Sequence, residues 1–359
     1  MNPLRLWRAA RDMRRSSPGP HRVRAHDAAR RIVTEARRVC RHTRRAGAAA
    51  VLAALAGCTA LPGGGYRVGG GSGPGCALSR VAIVPVTAYD GLLFVTAHVD
   101  GKPVRLVLDT GAQRSLLTEA TVRRLGLPAD RDHGTRTWGI GGPTTSFDAV
   151  VRRFTLAGVA FTMPRITVGR FRLAALRGGA DGMLGADVLT LFGIDLDAAA
   201  GRMVLYRDPA CRLSRPPWDG PAVDLPGVQA GGNRLRLPIA VNGTQGMATL
   251  DTGAQTTAIG LGLALRAGVT PSALAADRYA LARGAAPAAV HVRLQQFRSL
   301  QVGPWLARDP VLPIIPLPAG VGDGLVGEDF LLHRRVWLSF AAPQVFVAVA
   351  GAKTPLASR

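Results

Sequence analysis

Apolar positions alternate loosely along Leu92–Val99, break at Asp100-Gly101 and resume along Val104–Leu108. That is the pattern of two part-buried strands joined by a tight turn, and Asp-Gly is a dipeptide that type I′ hairpins favour. The same pattern returns at Leu235–Val241, Asn242-Gly243 and Met247–Leu250. Between such runs, Thr118 stands where it would cap a short helix, with Glu119 in the first turn, Arg123 and Arg124 in the last and Gly126 at the end. The 44 glycines, 25 prolines and 5% aromatic residues fit many turns and short strands, hence tandem all-β units. The 359 residues suffice for two cores. Pro216, Pro217, Pro221 and Pro226 mark residues 212–232 as the linker between them.

The two units are copies. Asp109-Thr110-Gly111-Ala112-Gln113 recurs as Asp251-Thr252-Gly253-Ala254-Gln255, 142 residues on. Asp181-Gly182-Met183-Leu184-Gly185-Ala186-Asp187 recurs at the same spacing as Asp323-Gly324-Leu325-Val326-Gly327-Glu328-Asp329, and so does the hairpin turn. Three features in one register indicate duplication of a single unit rather than a solenoid.

In each copy an apolar strand runs directly into an aspartate that Thr-Gly-Ala follows, and an apolar-apolar-Gly segment lies downstream. In these segments the chain resembles the retropepsin and pepsin families of aspartic peptidases over roughly residues 80–350. The resemblance implies an all-β fold of two homologous lobes with short helices and an active site at the lobe interface. It implies that Asp109 and Asp251 are the catalytic pair, within the loops Thr110-Gly111-Ala112 and Thr252-Gly253-Ala254. Chemistry supports that reading. Gly111 and Gly253 allow tight turns that aim amide hydrogens at a carboxylate. Thr110 and Thr252 can tie the two loops together. Two carboxyls meeting in a low-dielectric wall cannot both ionise easily, so they share a proton. The ionised member then activates a water and the protonated one supplies a proton to the peptide carbonyl. This chemistry requires no cofactor, and the chain shows no His/Cys spacing of a metal site.

Trp138-Gly139-Ile140-Gly141-Gly142 resembles the glycine-rich flap that closes over substrate in retropepsins. The matching stretch of the second copy, Ala280-Leu281-Ala282-Arg283-Gly284, lacks the aromatic residue and most of the glycines. That departure implies a single flap, as in pepsins, although pepsins carry a tyrosine there.

The N-terminus reads as an address. An apolar run over residues 47–57 follows Arg41, Arg44 and Arg45, and is too short to span a bilayer comfortably. It ends in Leu55-Ala56-Gly57-Cys58, which resembles the lipobox of bacterial lipoproteins and implies acylation of Cys58 and removal of residues 1–57. In that family a non-acidic next residue, here Thr59, goes with the periplasmic face of the outer membrane. Residues 58–76 read as a Gly-rich tether, 77–211 as the first lobe and 233–350 as the second. With Cys40 removed and Cys58 acylated, Cys76 and Cys211 are left to form a disulfide in an oxidising compartment. Fourteen arginines against three acids in residues 1–57 carry half of the net charge of +22. The rest shows no basic helix or aromatic-interleaved basic run, so nucleic acid is not expected as a partner. The expected partners are a peptide or protein substrate and the membrane, for a monomer that is an internal pseudo-dimer. A catalytically silent, peptide-binding lipoprotein of the same fold is the alternative.

Overall fold

The computed structural model describes residues 78–140, 142–169, 179–207, 211–231, 233–282, 289–318 and 320–349. Residues 1–77, which include the segments read as a signal region and a tether as well as Cys58 and Cys76, lie outside them.

Each lobe is a ten-stranded sheet with the same strand order. In the first lobe the order is Ala129–Gly139, Gly142–Val150, Arg165–Gly169, Leu116–Thr118, Gly182–Leu184, Lys102–Leu108, Leu92–Val99, Phe154–Leu156 and Val159–Phe161, with Thr87–Tyr89 added to Leu92–Val99. The second lobe repeats it as Arg278–Ala282, Val290–Gln296, Val311–Ile315, Ala258–Gly260, Gly324–Val326, Thr244–Leu250, Arg234–Val241, Ser299–Val302 and Trp305–Arg308, with Val228–Ala230 added to Arg234–Val241. The expected hairpins form. Asp100 and Gly101 have φ of 49° and 80°, and Asn242 and Gly243 have 50° and 82°. Positive φ at both central residues is what a type I′ turn requires. The Glu119–Leu125 helix also forms. Thr118 Oγ1 accepts from Thr121 N at 3.1 Å, and Gly126 ends the helix at φ 69°.

A six-stranded antiparallel sheet joins the lobes, in the order Ser79–Pro85, Arg202–Arg207, Gly193–Asp197, Arg335–Ser339, Gln344–Ala348 and Ala222–Leu225. At its centre Gly193 pairs with Ser339, Asp195 with Trp337 and Asp197 with Arg335. Asp195 and Trp337 are themselves repeat partners, so the pseudo-twofold axis relating the lobes passes through this pair. One continuous apolar core reaches from Val84 and Leu106 in the first lobe to Leu250 and Val347 in the second. The proline-rich stretch is more than a linker. Ala222–Leu225 is an outer strand of the joining sheet and Val228–Ala230 pairs with Arg234–Arg236. Pro221 and Pro226 flank the first of these strands rather than interrupt it, so they remove no ladder donor from its interior.

Candidate active site

The Lys102–Leu108 and Thr244–Leu250 strands deliver Asp109 and Asp251 at their ends. The parallel neighbours Gly182–Leu184 and Gly324–Val326 fix where each strand stops. Asp109 N donates to Leu184 O at 3.0 Å, and Asp251 N to Val326 O at 2.9 Å. Behind the loops, Ser115 N and Oγ both donate to Asp187 Oδ1, at 2.8 and 2.7 Å, while Ser115 Oγ accepts from Gly185 N. Thr257, Asp329 and Gly327 repeat the arrangement. Sequence reasoning quoted Asp187 and Asp329 as part of the repeat but gave them no role. Their equal spacing from Ser115 and Thr257 was the available signal.

The loops lock to each other across the axis. Thr110 N donates to Thr252 Oγ1 at 3.0 Å and Thr252 N to Thr110 Oγ1 at 3.1 Å. Each hydroxyl in turn donates 2.8 Å across the interface, Thr110 to Leu250 O and Thr252 to Leu108 O. All of these groups lie among buried residues, so each lost bond would strand a polar atom.

This lock sets each glycine against the opposite aspartate. A Cβ on Gly111 would lie 2.6 Å from Asp251 Cγ, and one on Gly253 would lie 2.5 Å from an Asp109 carboxyl oxygen. Only glycine fits at either place. Gly111 N and Ala112 N donate to Asp109 Oδ1 at 2.9 and 2.7 Å, and Gly253 N donates to Asp251 Oδ1 at 2.9 Å. Asp109 is only 6% exposed. Burial, and next the negative charge of Asp251, hold its carboxyl well above the usual carboxylate range, against the pull of the Ala112 and Gly111 amides. Burial raises Asp251 too, but the Gly253 amide, a hydrogen bond from Asp109 and the Arg234 cation oppose it. Both carboxyls are therefore raised, and they titrate as one coupled pair.

Two further residues stand close to the pair, and both break the repeat. Arg234 occupies the place that Leu92 holds in the first lobe and donates from Nε to Gly111 O at 3.0 Å. Glu328 occupies the place of Ala186, is fully buried, and neither of its carboxyl oxygens has a hydrogen-bond partner. Burial, with the nearby Asp251 and Asp329 charges, pushes its carboxyl up to about 9. Neither stood out in the sequence.

The segment read as a flap is the tip of the hairpin formed by Ala129–Gly139 and Gly142–Val150, with Gly139 paired to Gly142. Ile140 at the tip packs against an apolar cluster of the second lobe that includes Val292, Ile315 and Leu325. Gly141 and the side chain of Trp138 lie outside the described residues. The second lobe has the equivalent hairpin in Arg278–Ala282 and Val290–Gln296. Its composition differs from the first, but strand pairing rather than glycine content specifies the hairpin. Its tip, residues 283–288, lies outside the described residues. Cys211 is buried and disulfide-bonded, whereas Cys76 lies outside the described residues. Among the described residues no group of His, Cys, Asp or Glu is placed to hold a metal ion.

Two equivalent β lobes that each bring one aspartate to a shared axis define a bilobal aspartic-peptidase architecture. The sequence model of the aspartyl protease family matches the chain twice, over residues 95–188 and 237–330, and the two matches again stand 142 residues apart. The chain belongs to that family. A comparison with curated proteins finds no match.

Proposed function

We propose that this protein is a lipid-anchored aspartic endopeptidase that hydrolyses peptide bonds with a water activated by Asp109 and Asp251. The observation that carries the proposal is the reciprocal packing of Gly111 on Asp251 and Gly253 on Asp109, which brings the two carboxyls together, each raised by burial. In this reading Asp251, the charged member, takes a proton from water as the water attacks the scissile carbonyl. Asp109 gives its proton to the carbonyl oxygen, and the protons redistribute as the amine leaves. The amides of Gly111, Ala112 and Gly253 hold the carboxyls in place throughout. The Ala129–Val150 hairpin covers the cleft and limits water access.

In the same proposal Cys58 carries the lipid, the folded lobes work as a monomer in the cell envelope at the periplasmic face of the outer membrane, and a peptide or protein is the substrate. The bonded state of Cys211 supports an oxidising compartment. Cleavage of a peptide library from pH 3 to 8 by the purified protein, abolished in both Asp109→Asn and Asp251→Asn, is the test. A wild type that binds peptides without cutting them would favour the catalytically silent alternative. Mass spectrometry of the mature N-terminus checks the anchor: an unmodified Cys58, or retention of residues 1–57, would overturn it.

A further inference from the structure

The duplication supplies its own control. Wherever a position near the dyad differs between the lobes, the difference marks what one aspartate has and the other lacks. Leu92 in the first lobe is buried among apolar neighbours. Its counterpart Arg234 turns a guanidinium toward the loop of the opposite lobe. Arg234 Nε donates to Gly111 O at 3.0 Å, and Nη1 reaches the carbonyls of Gly231 at 3.3 Å and Gly320 at 3.5 Å. All three acceptors are uncharged. Among the described residues no carboxylate forms an ion pair with this cation. Gly111, the residue it grips, is the one that packs on the Asp251 carboxylate.

We propose that Arg234 is a positioning residue that acts as the fixed counter-charge of the dyad, placing the negative charge on Asp251 and leaving the proton on Asp109. This rests on the peptidase reading above for its catalytic consequence, but not for the electrostatics. The carbonyl clamp holds the guanidinium still, and a fixed cation beside a part-buried carboxylate favours its ionised form. The charges agree. Burial and neighbouring Arg236 disfavour the Arg234 cation, while Asp251 and Asp109 favour it. The remaining ionisable groups around the loops do not substitute for it. Glu328 is protonated up to about pH 9 and so adds no charge in the working range. Asp187, with Arg114 near it, and Asp329 sit behind the loops bound to Ser115 and Thr257. Arg236 stands behind Arg234, with its Nη2 on Gly320 O.

The test titrates the dyad in the whole protein by two readouts, kcat/KM against pH and 13C NMR of aspartate carboxyls. Arg234→Gln removes the charge but keeps a donor for Gly111 O, and Arg234→Leu installs the side chain of the first lobe. In both, the dyad titrations and both limbs of the rate profile should move to higher pH by about half a unit to one unit. Arg234→Lys should leave them near the wild-type values. A residue that merely braced the loop would lower kcat without moving either limb. Unmoved titrations in Arg234→Gln, or an equal shift in Arg234→Lys, would overturn the assignment. The NMR arm separates this proposal from the peptidase reading: a protein that cuts nothing yet shows the shift keeps Arg234 as counter-charge and loses only the enzyme.

Discussion

Glu328 should make the protein lose stability steadily as pH rises, and replacing it with glutamine should remove that loss. The side chain is fully buried with both oxygens unpartnered, and its carboxyl titrates at about 9 instead of the ordinary 4.5. Below pH 4.5 both folded and unfolded chains hold the proton, so the group adds no pH dependence. Between 4.5 and 9 the unfolded chain releases the proton while the folded protein keeps it. Folding then takes up a proton, and stability falls by about 1.4 kcal/mol per pH unit. From pH 5 to pH 8 the loss is on the order of 4 kcal/mol, a large share of the roughly 5–15 kcal/mol typical of a folded domain. Glutamine matches the shape and does not titrate. Urea unfolding of wild type and Glu328→Gln at pH 5, 6, 7 and 8 should give curves whose difference shrinks at low pH and widens in favour of the variant at high pH. The dyad contributes its own slope, but to both proteins alike. Parallel stability-versus-pH curves would refute the reasoning, because Glu328 would then be ionised in the folded state or bound to a partner.

Other perturbations test the rest of the site. Thr252→Val keeps the shape but strands Thr110 N and Leu108 O, and should cost about 2–4 kcal/mol in urea unfolding, with Thr252→Ser much milder. Gly253→Ala forces a methyl against the Asp109 carboxyl and should lower kcat roughly 100-fold or more, with substrate binding less affected. Ala112 and Ala254 give Asp109 and Asp251 an amide but no hydroxyl. Changing both to threonine adds donors that favour the ionised pair, and should move the alkaline limb of kcat/KM toward acid by up to about one unit. If that limb stays put, the missing hydroxyls do not set the pH range.

Much of this was legible because it is local or repeated. The type I′ turns follow from Asp100-Gly101 and Asn242-Gly243, and the Thr118 cap needs only its own helix. The aspartate loops were found because they recur at one spacing. What escaped depends on distant partners. Ala222–Leu225 looked like linker because its prolines were counted and its pairing with Gln344–Ala348, more than a hundred residues away, cannot be read from its own sequence. The register of the second hairpin comes from pairing Arg278–Ala282 with Val290–Leu294, which the composition of its strands does not reveal. Arg234 and Glu328 are hidden for the opposite reason: a repeat is visible where its copies agree, and these are two positions where they differ.

Those differences form a pattern that extends beyond the cleft. At the centre of the joining sheet the axis passes between Asp195 and Trp337, and each half carries what the other lacks. Gly193 makes room for the buried Trp337 ring, since a Cβ there would meet Trp337 Cζ2 at 2.7 Å. Its counterpart Arg335 reaches Asp195 with two hydrogen bonds of 2.8 and 2.6 Å. Two copies of the first lobe would set Asp195 against Asp195 on the axis, a buried like-charge pair. Two copies of the second would set Trp337 against Trp337 with arginine where glycine is needed. Neither homodimer can reproduce the interface, so the ancestral symmetry of the duplication survives in the backbone and has been abandoned in the side chains. The cleft follows the same logic, with Leu92 opposite Arg234 and Ala186 opposite Glu328. A symmetric pair of carboxyls has no preferred side for its shared proton. An asymmetric pair does, and in this chain the asymmetry is built into the second lobe, which carries both ionisable departures, Arg234 and Glu328.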